Sequence, residues 1–205
     1  MGFSGDIAIR AFGDILNFRT TGSTTTGSYV CMAGTINVTA PVASMGGAVL
    51  FEADMDVVVS AELSTAGGAI TLVSDKDQAT VPGGGILINN GATVSSMGGD
   101  IVFGGGADPT VLPAMATMAT MEDGVHISGA TVNAGAGNIL ITGQANAGFN
   151  DGVEVQDGGQ ILTTSGTIII NGVSAADDGV DLDPGSVVQS ESGAITLTGF
   201  SSGVS

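Results

Sequence analysis

The chain is short of most residue types on which protein chemistry ordinarily depends. Its 205 residues include one cysteine (Cys31), no tryptophan, one tyrosine, one histidine and three cationic side chains, Arg10, Arg19 and Lys76. A lone cysteine excludes an internal disulfide and reads as a small buried hydrophobe. Three cations against 20 acidic residues, a formal charge of -17, cannot neutralise a phosphate backbone or hold an anionic membrane surface, so nucleic acid is excluded as a partner. No apolar run approaches the ~20 residues of a spanning helix, which excludes helical membrane insertion. The first residues, Met1-Gly2-Phe3-Ser4, lack a basic stretch leading into an apolar one, so any export signal is expected outside this chain. With Tyr29 the only tyrosine and no tryptophan, there is no aromatic platform for sugar rings.

Glycine is what the chain has in excess, 35 residues where average usage predicts ~14. Hydrophobic residues reach 43% and mean hydropathy is +0.44, too apolar for a disordered acidic tail, so a buried core is expected. The glycines follow a repeat. Pairs of aliphatics seven residues apart recur at Val42/Val49, Leu63/Ile70, Val94/Ile101, Val132/Ile139, Ile161/Ile168 and Val188/Ile195, with Gly47, Gly68, Gly99, Gly137, Gly166 and Gly193 two positions before the second member. A further unit, glycine then two aliphatics flanking a variable residue, occurs at Gly85-Ile86-Leu87-Ile88, Gly124-Val125-His126-Ile127, Gly152-Val153-Glu154-Val155 and Gly179-Val180-Asp181-Leu182. From Gly124 to Gly152 is 28 residues and from Gly152 to Gly179 is 27; the interval of 39 from Gly85 to Gly124 carries an insertion of about eleven. Weaker copies stand at Val57-Val58-Val59, Ile36-Asn37-Val38 and Ile7-Ala8-Ile9.

Each unit alternates with period two, which places the uniform aliphatics inside and the variable residues outside. Strands this short cannot each bury a face alone, and stacking equivalent strands solves the problem. The expected fold is therefore all-β, a right-handed parallel β-helix of about seven turns of ~27–28 residues with three short strands per turn, rising ~4.8 Å per turn to a rod of about 34 Å. A single solenoid should occupy residues 1–205, with irregular turns in 1–56 and regular turns in 57–205 interrupted by an insertion at 104–123. The corner glycines would supply positive φ or close backbone approach. A sandwich or barrel also accommodates many short strands, but does not predict one residue type at one point of a 27-residue period.

The stretches Asp177-Asp178-Gly179-Val180-Asp181-Leu182 through Ser192-Gly193-Ala194-Ile195-Thr196-Leu197-Thr198-Gly199, and Gly124-Val125 through Gly137-Asn138-Ile139-Leu140-Ile141-Thr142-Gly143, resemble the repeats of bacterial surface and secreted proteins of the filamentous-haemagglutinin-like, autotransporter-passenger type. The resemblance covers roughly Val57 to Ser205. It implies an extracellular or cell-surface rod, commonly an adhesin or matrix component, with function on insertions or side stripes and no catalytic residues to carry over. Gly203-Val204-Ser205 reads as the opening of another unit, and neither end reads as a cap. A fragment of a larger rod, or a subunit stacking on copies of itself, is expected.

Four features could carry chemistry. Acidic residues gather before the glycine-led unit, at Glu122-Asp123, Asn150-Asp151 and Asp177-Asp178, with Glu154, Asp157, Asp181 and Asp183 close after. Stacking sets such carboxylates about 5 Å apart, where mutual repulsion raises their pKa values unless a cation or solvent relieves it. A calcium ladder at Asp123, Asp151, Asp177 and Asp178 stands beside the reading of a solvated acidic edge. Next, Val102, Leu140 and Ile169 present aliphatics outward where neighbouring turns present Thr71 and Thr196, a stripe for lateral association or for a covering insertion. The insertion contains Met115, Met118 and Met121 at intervals of three, fitting a short helix or a flap. His126, at a variable outward position, reads as an exposed surface histidine. A β-helical polysaccharide hydrolase or lyase would need convergent carboxylates such as Asp177, Asp178 and Asp181, or a basic residue that is nearly absent here. An ice-binding array would need unbroken outward threonines, and a calcium-stabilised surface-layer solenoid would need the acidic ladder. The preferred reading is non-enzymatic: an extracellular rod segment supporting adhesion or self-association, with itself, neighbouring repeats, or a matrix glycan or protein as partner.

Overall fold

A computed structural model describes residues 2–3, 6–18, 23–78, 83–116, 123–146, 148 and 150–203. Among these residues every regular element is a β-strand and every strand pairs in parallel, in one sheet of eight strands and one of fourteen. Among the described residues no helix is long and apolar enough to cross a membrane.

The strand ladders reproduce the three repeating aliphatic columns. In the eight-stranded sheet, Val42, Leu63, Val94, Val132, Ile161 and Val188 stand in register. The larger sheet has two arms. One carries Val49–Ala53, Ile70–Ser74, Ile101–Gly105, Ile139–Ala145, Ile168–Ser174 and Ile195–Ser201, with the first residue of each aligned to the next. The other carries Val57–Val59, Ile86–Ile88, Val125–Ser128, Val153–Gln156 and Val180–Leu182, likewise aligned. Tyr29–Val38 joins the arms: its first half pairs with Val49–Ala53 and its second half with Val57–Val59.

Alternation decides which face is buried. Ile139, Ile141, Ile168 and Ile170 are at most 1% exposed while Leu140 between them is only half-buried, so the inner residues of both sheets and both arms merge into one continuous core. Tyr29 and Cys31 lie in that core, and burial pushes the Cys31 thiol up to about 12. The expectation for Ile7-Ala8-Ile9 needs correction. These residues pair with Tyr29-Val30-Cys31, in the first arm, and it is Leu16-Asn17-Phe18 that stacks on Ile36-Asn37-Val38. A ten-residue strand without an internal break puts two repeat positions on one continuous segment, which a pattern keyed to glycine breaks cannot separate.

The corner glycines are required by close approach. A Cβ at Gly137 would lie 2.1 Å from the carbonyl oxygen of Gly99, and one at Gly166 would lie 1.9 Å from that of Gly137. Before Gly47, Gly68 and Gly99 it is the preceding residue that takes positive φ, Gly46, Gly67 and Gly98 at 122°, 101° and 123°. A hydroxyl three residues before most of these glycines closes the corner. Ser96 Oγ donates to the Gly99 carbonyl at 2.5 Å and Ser190 Oγ accepts from the Gly193 amide at 2.8 Å.

The described part of the insertion, residues 104–116, ends in a short strand. Ala114–Ala116 pairs with Gly143–Ala145 in the plane of the sheet, beside the strand that carries Leu140 and not over it. Met115 is half-buried there; Met118 and Met121 lie outside the described residues.

Candidate functional site

Two outward columns meet on the second arm. The register His126↔Glu154↔Asp181 stacks the variable residues of three successive strands. Asp123, Asp151 and Asp178 occupy equivalent positions two residues before the paired Val125, Val153 and Val180, so they form a second column alongside. Backbone amides link it: Asp151 N donates to Asp123 Oδ1 at 2.7 Å and Asp178 N donates to Asp151 Oδ1 at 2.9 Å.

The structure divides the four aspartates of the expected ladder. Asp151, Asp177 and Asp178 come together as one all-carboxylate group, with ligand atoms within 4.8 Å of one another. Asp123 instead joins His126 and Glu154. His126 Nδ1 lies 2.6 Å from Asp123 Oδ2 and 2.8 Å from Glu154 Oε2, and the Gln156 amide lies 2.8 Å from Nε2. A proton on Nε2 is satisfied when Gln156 turns its amide oxygen toward the ring. A third group, Asp151, Glu154 and Asp181, repeats the same offsets one strand further along with oxygen atoms only.

Electrostatics follow from this crowding. Burial opposes charge on His126, but hydrogen bonds to Asp123 and Glu154 and their negative charge outweigh it, holding the imidazolium up to about 9. Burial also opposes ionisation of Asp123, yet hydrogen bonds from His126 and the Asp151 amide keep it below the usual carboxylate range. Glu154 is bonded to His126, but burial and the facing Asp123 carboxylate leave it raised. Asp151 is pushed up to about 7, by burial first and by Asp123 second. Asp181 is raised by burial and by Asp183 and Asp178.

His126 is thus no free surface group. Its side chain is 17% exposed, because Asp123 and Glu154 close around the ring. The outer column was visible in the repeat, since His126, Glu154 and Asp181 hold the same offset from Gly124, Gly152 and Gly179. Gln156, which steadies the ring from the neighbouring strand, had no signal of its own.

The aliphatic stripe is in register. Leu50, Thr71, Val102, Leu140, Ile169 and Thr196 form one outer column. Val102 and Leu140 are half-buried and Ile169 is 37% exposed. Along the same face Met115, Gln144, Val173 and Phe200 form another column, with Phe200 61% exposed.

A further buried acid, Asp75, lies apart from these columns. Asp75 is 2% exposed, its Oδ1 has no hydrogen-bond partner, and its φ is 47°. Burial, followed by the charge of Asp77, pushes it up to about 6. Nearby, Lys76 Nζ pairs with Glu52 at 2.5 Å.

Compared with protein-family models, curated proteins and solved structures, the chain matches none of them.

Proposed function

We propose that the chain is a segment of right-handed parallel β-helix, about seven turns with three short strands per turn, and that it serves as a non-enzymatic rod in an extracellular or cell-surface protein, supporting adhesion or self-association. The observation that carries this reading is the outer stripe of Val102, Leu140 and Ile169, held side by side by strand register. Adjacent outward aliphatics on a sheet face lose water by meeting another apolar surface, and a second rod or an apolar strip on a matrix partner offers one. The last described strand leaves inner residues uncovered. Ile195 and Leu197 continue the inner column of Ile168 and Ile170, yet they are 40% and 41% exposed, and Ile195–Ser201 has one strand neighbour among the described residues. That face fits a further parallel strand with the same aliphatic spacing.

Replacing Leu140 and Ile169 together by Asp tests the lateral reading. Sedimentation equilibrium of the parent chain should show concentration-dependent mass above the monomer. The double variant should sediment as a monomer with unchanged strand content by circular dichroism. A parent chain that is monomeric at all concentrations, or a variant that associates equally well, contradicts the proposal.

A further inference from the structure

We propose that Asp75 is a pH-operated latch on the insertion: with its carboxyl neutral the loop of residues 106–113 lies closed on the outer sheet face, and with it ionised the loop is released. The tie is made by the backbone. The Gly106 amide donates to the carbonyls of Ser74 and Asp75, both at 3.2 Å, and the Gly105 amide donates to the Leu112 carbonyl at 2.9 Å. The loop folds back over its own strand, since a Cβ at Gly104 would lie 2.2 Å from the Pro109 carbonyl oxygen. Val73, the register neighbour of Gly104, is 1% exposed although alternation turns it outward. Its column stands next to the one that carries Val102, so the latch sets how much of this outer face is open.

The surroundings of Asp75 tolerate its neutral form only. Asp75 is 2% exposed with Oδ1 unbonded, and the hydroxyl of the preceding Ser74, 0% exposed, is unbonded too. In the same turn Lys76 is taken up by Glu52 at 2.5 Å, while burial and then the charge of Asp77 raise both Asp75 and Asp54. Asp56 accepts from the Gly85 amide at 3.1 Å, and Asp108, the one charged residue of the loop, accepts from the amide and hydroxyl of Thr110. Among the described residues no cation therefore replaces the water that a buried, ionised Asp75 forgoes. Ionisation is favoured in a conformation that wets the carboxylate, so the latch is closed below about pH 6 and loosens above it. Asp75 and Gln78 also hold left-handed φ, 47° and 54°, and opening relieves that strain.

The test follows amide exchange in the whole chain by NMR from about pH 4 to about pH 7.5, each rate divided by the intrinsic rate at that pH. Protection of the Gly105 and Gly106 amides should fall by about tenfold or more as pH rises through about 6. Asp75→Asn removes the titration and should hold their protection constant to within about threefold. The proposal fails if the Gly106 amide exchanges as slowly as that of Ile139 at pH 7.5, because the loop then opens only with the whole fold. It fails equally if Asp75→Asn shows the parent's loss of protection. Should Asp75→Asn lose strand content, Asp77→Asn decides: with the like charge gone, the midpoint of the loss should move to lower pH, and an unmoved midpoint overturns the latch.

Discussion

A carboxylate buried without a partner favours its neutral form, and Asp75 is such a group: 2% exposed, Oδ1 unbonded, pKa raised from 3.8 to about 6. Because the folded value lies above the unfolded one, its favourable contribution is complete below about pH 4 and is lost as pH rises through about 6, with a span of about 3 kcal/mol. Asn keeps the shape, carries no charge and tolerates the left-handed φ of 47°. Asp75→Asn should therefore match the parent in urea unfolding near pH 4 and exceed it by as much as about 3 kcal/mol at pH 7.5. Equal stability at both pH values would mean that Asp75 is solvated or paired in the folded chain. Neither this burial nor that of His126 could be read along the sequence. Asp75 is one of two acids in the run Asp75-Lys76-Asp77, and its packing beside Met55 and Gly106, whose backbones it bonds, removes it from water.

At the scale of the element, a corner is defined by what its glycine touches. A Cβ at Gly137 meets the Gly99 carbonyl oxygen at 2.1 Å and its carbon at 2.5 Å, backbone atoms that the strand ladder holds in place. At Gly91 φ is +80° and no atom lies within 4 Å of the added carbon. Gly91→Ala should cost about 1–2 kcal/mol, the penalty of a left-handed residue with a side chain. Gly137→Ala should cost more than about 3 kcal/mol, since ladder bonds must break to relieve the clash; thermal unfolding of the two variants checks the order. The reverse order would show that the corners yield more readily than the glycine turn. This pattern was half legible. The seven-residue aliphatic pairs located the inner columns residue by residue, because strand alternation and the glycine step are local signals. The sequence left open whether those glycines served positive φ or close approach, and the stacked carbonyls answer it. The insertion defeated the same reasoning: Met115 at helical spacing from Met118 suggested a helix or flap, whereas the strand Ala114–Ala116 is fixed by pairing with Gly143–Ala145, a contact 29 residues distant. The outer columns were visible as residue types, yet the convergence of Asp123, His126 and Glu154 depends on strand register, which a repeat length known to one residue does not specify.

Over the whole molecule, each strand gains its partners from the strands before and after it in a ladder, and stability in such a stack is close to a sum of neighbour terms. Inner positions with a strand on both sides are sealed: Ile141 is 0% exposed between Phe103 and Ile170. Leu197, the equivalent residue of the last described strand, has Ile170 on one side only and is 41% exposed. Truncating Ile141 leaves a cavity that neighbouring strands cannot fill without breaking register, so Ile141→Ala should cost about 2–5 kcal/mol. Leu197→Ala removes surface that is already partly wet and should cost below about 1.5 kcal/mol in dilute monomer. Hydrogen exchange should follow the same gradient, with amides of Ile139–Ala145 outlasting those of Ile195–Ser201. The contrast also reports on assembly. If a second copy covers the end face, the cost of Leu197→Ala must rise with protein concentration while that of Ile141→Ala stays constant, because only the former residue gains a neighbour on association. A Leu197 penalty that equals that of Ile141 at every concentration would mean that the end of the ladder is sealed within the single chain.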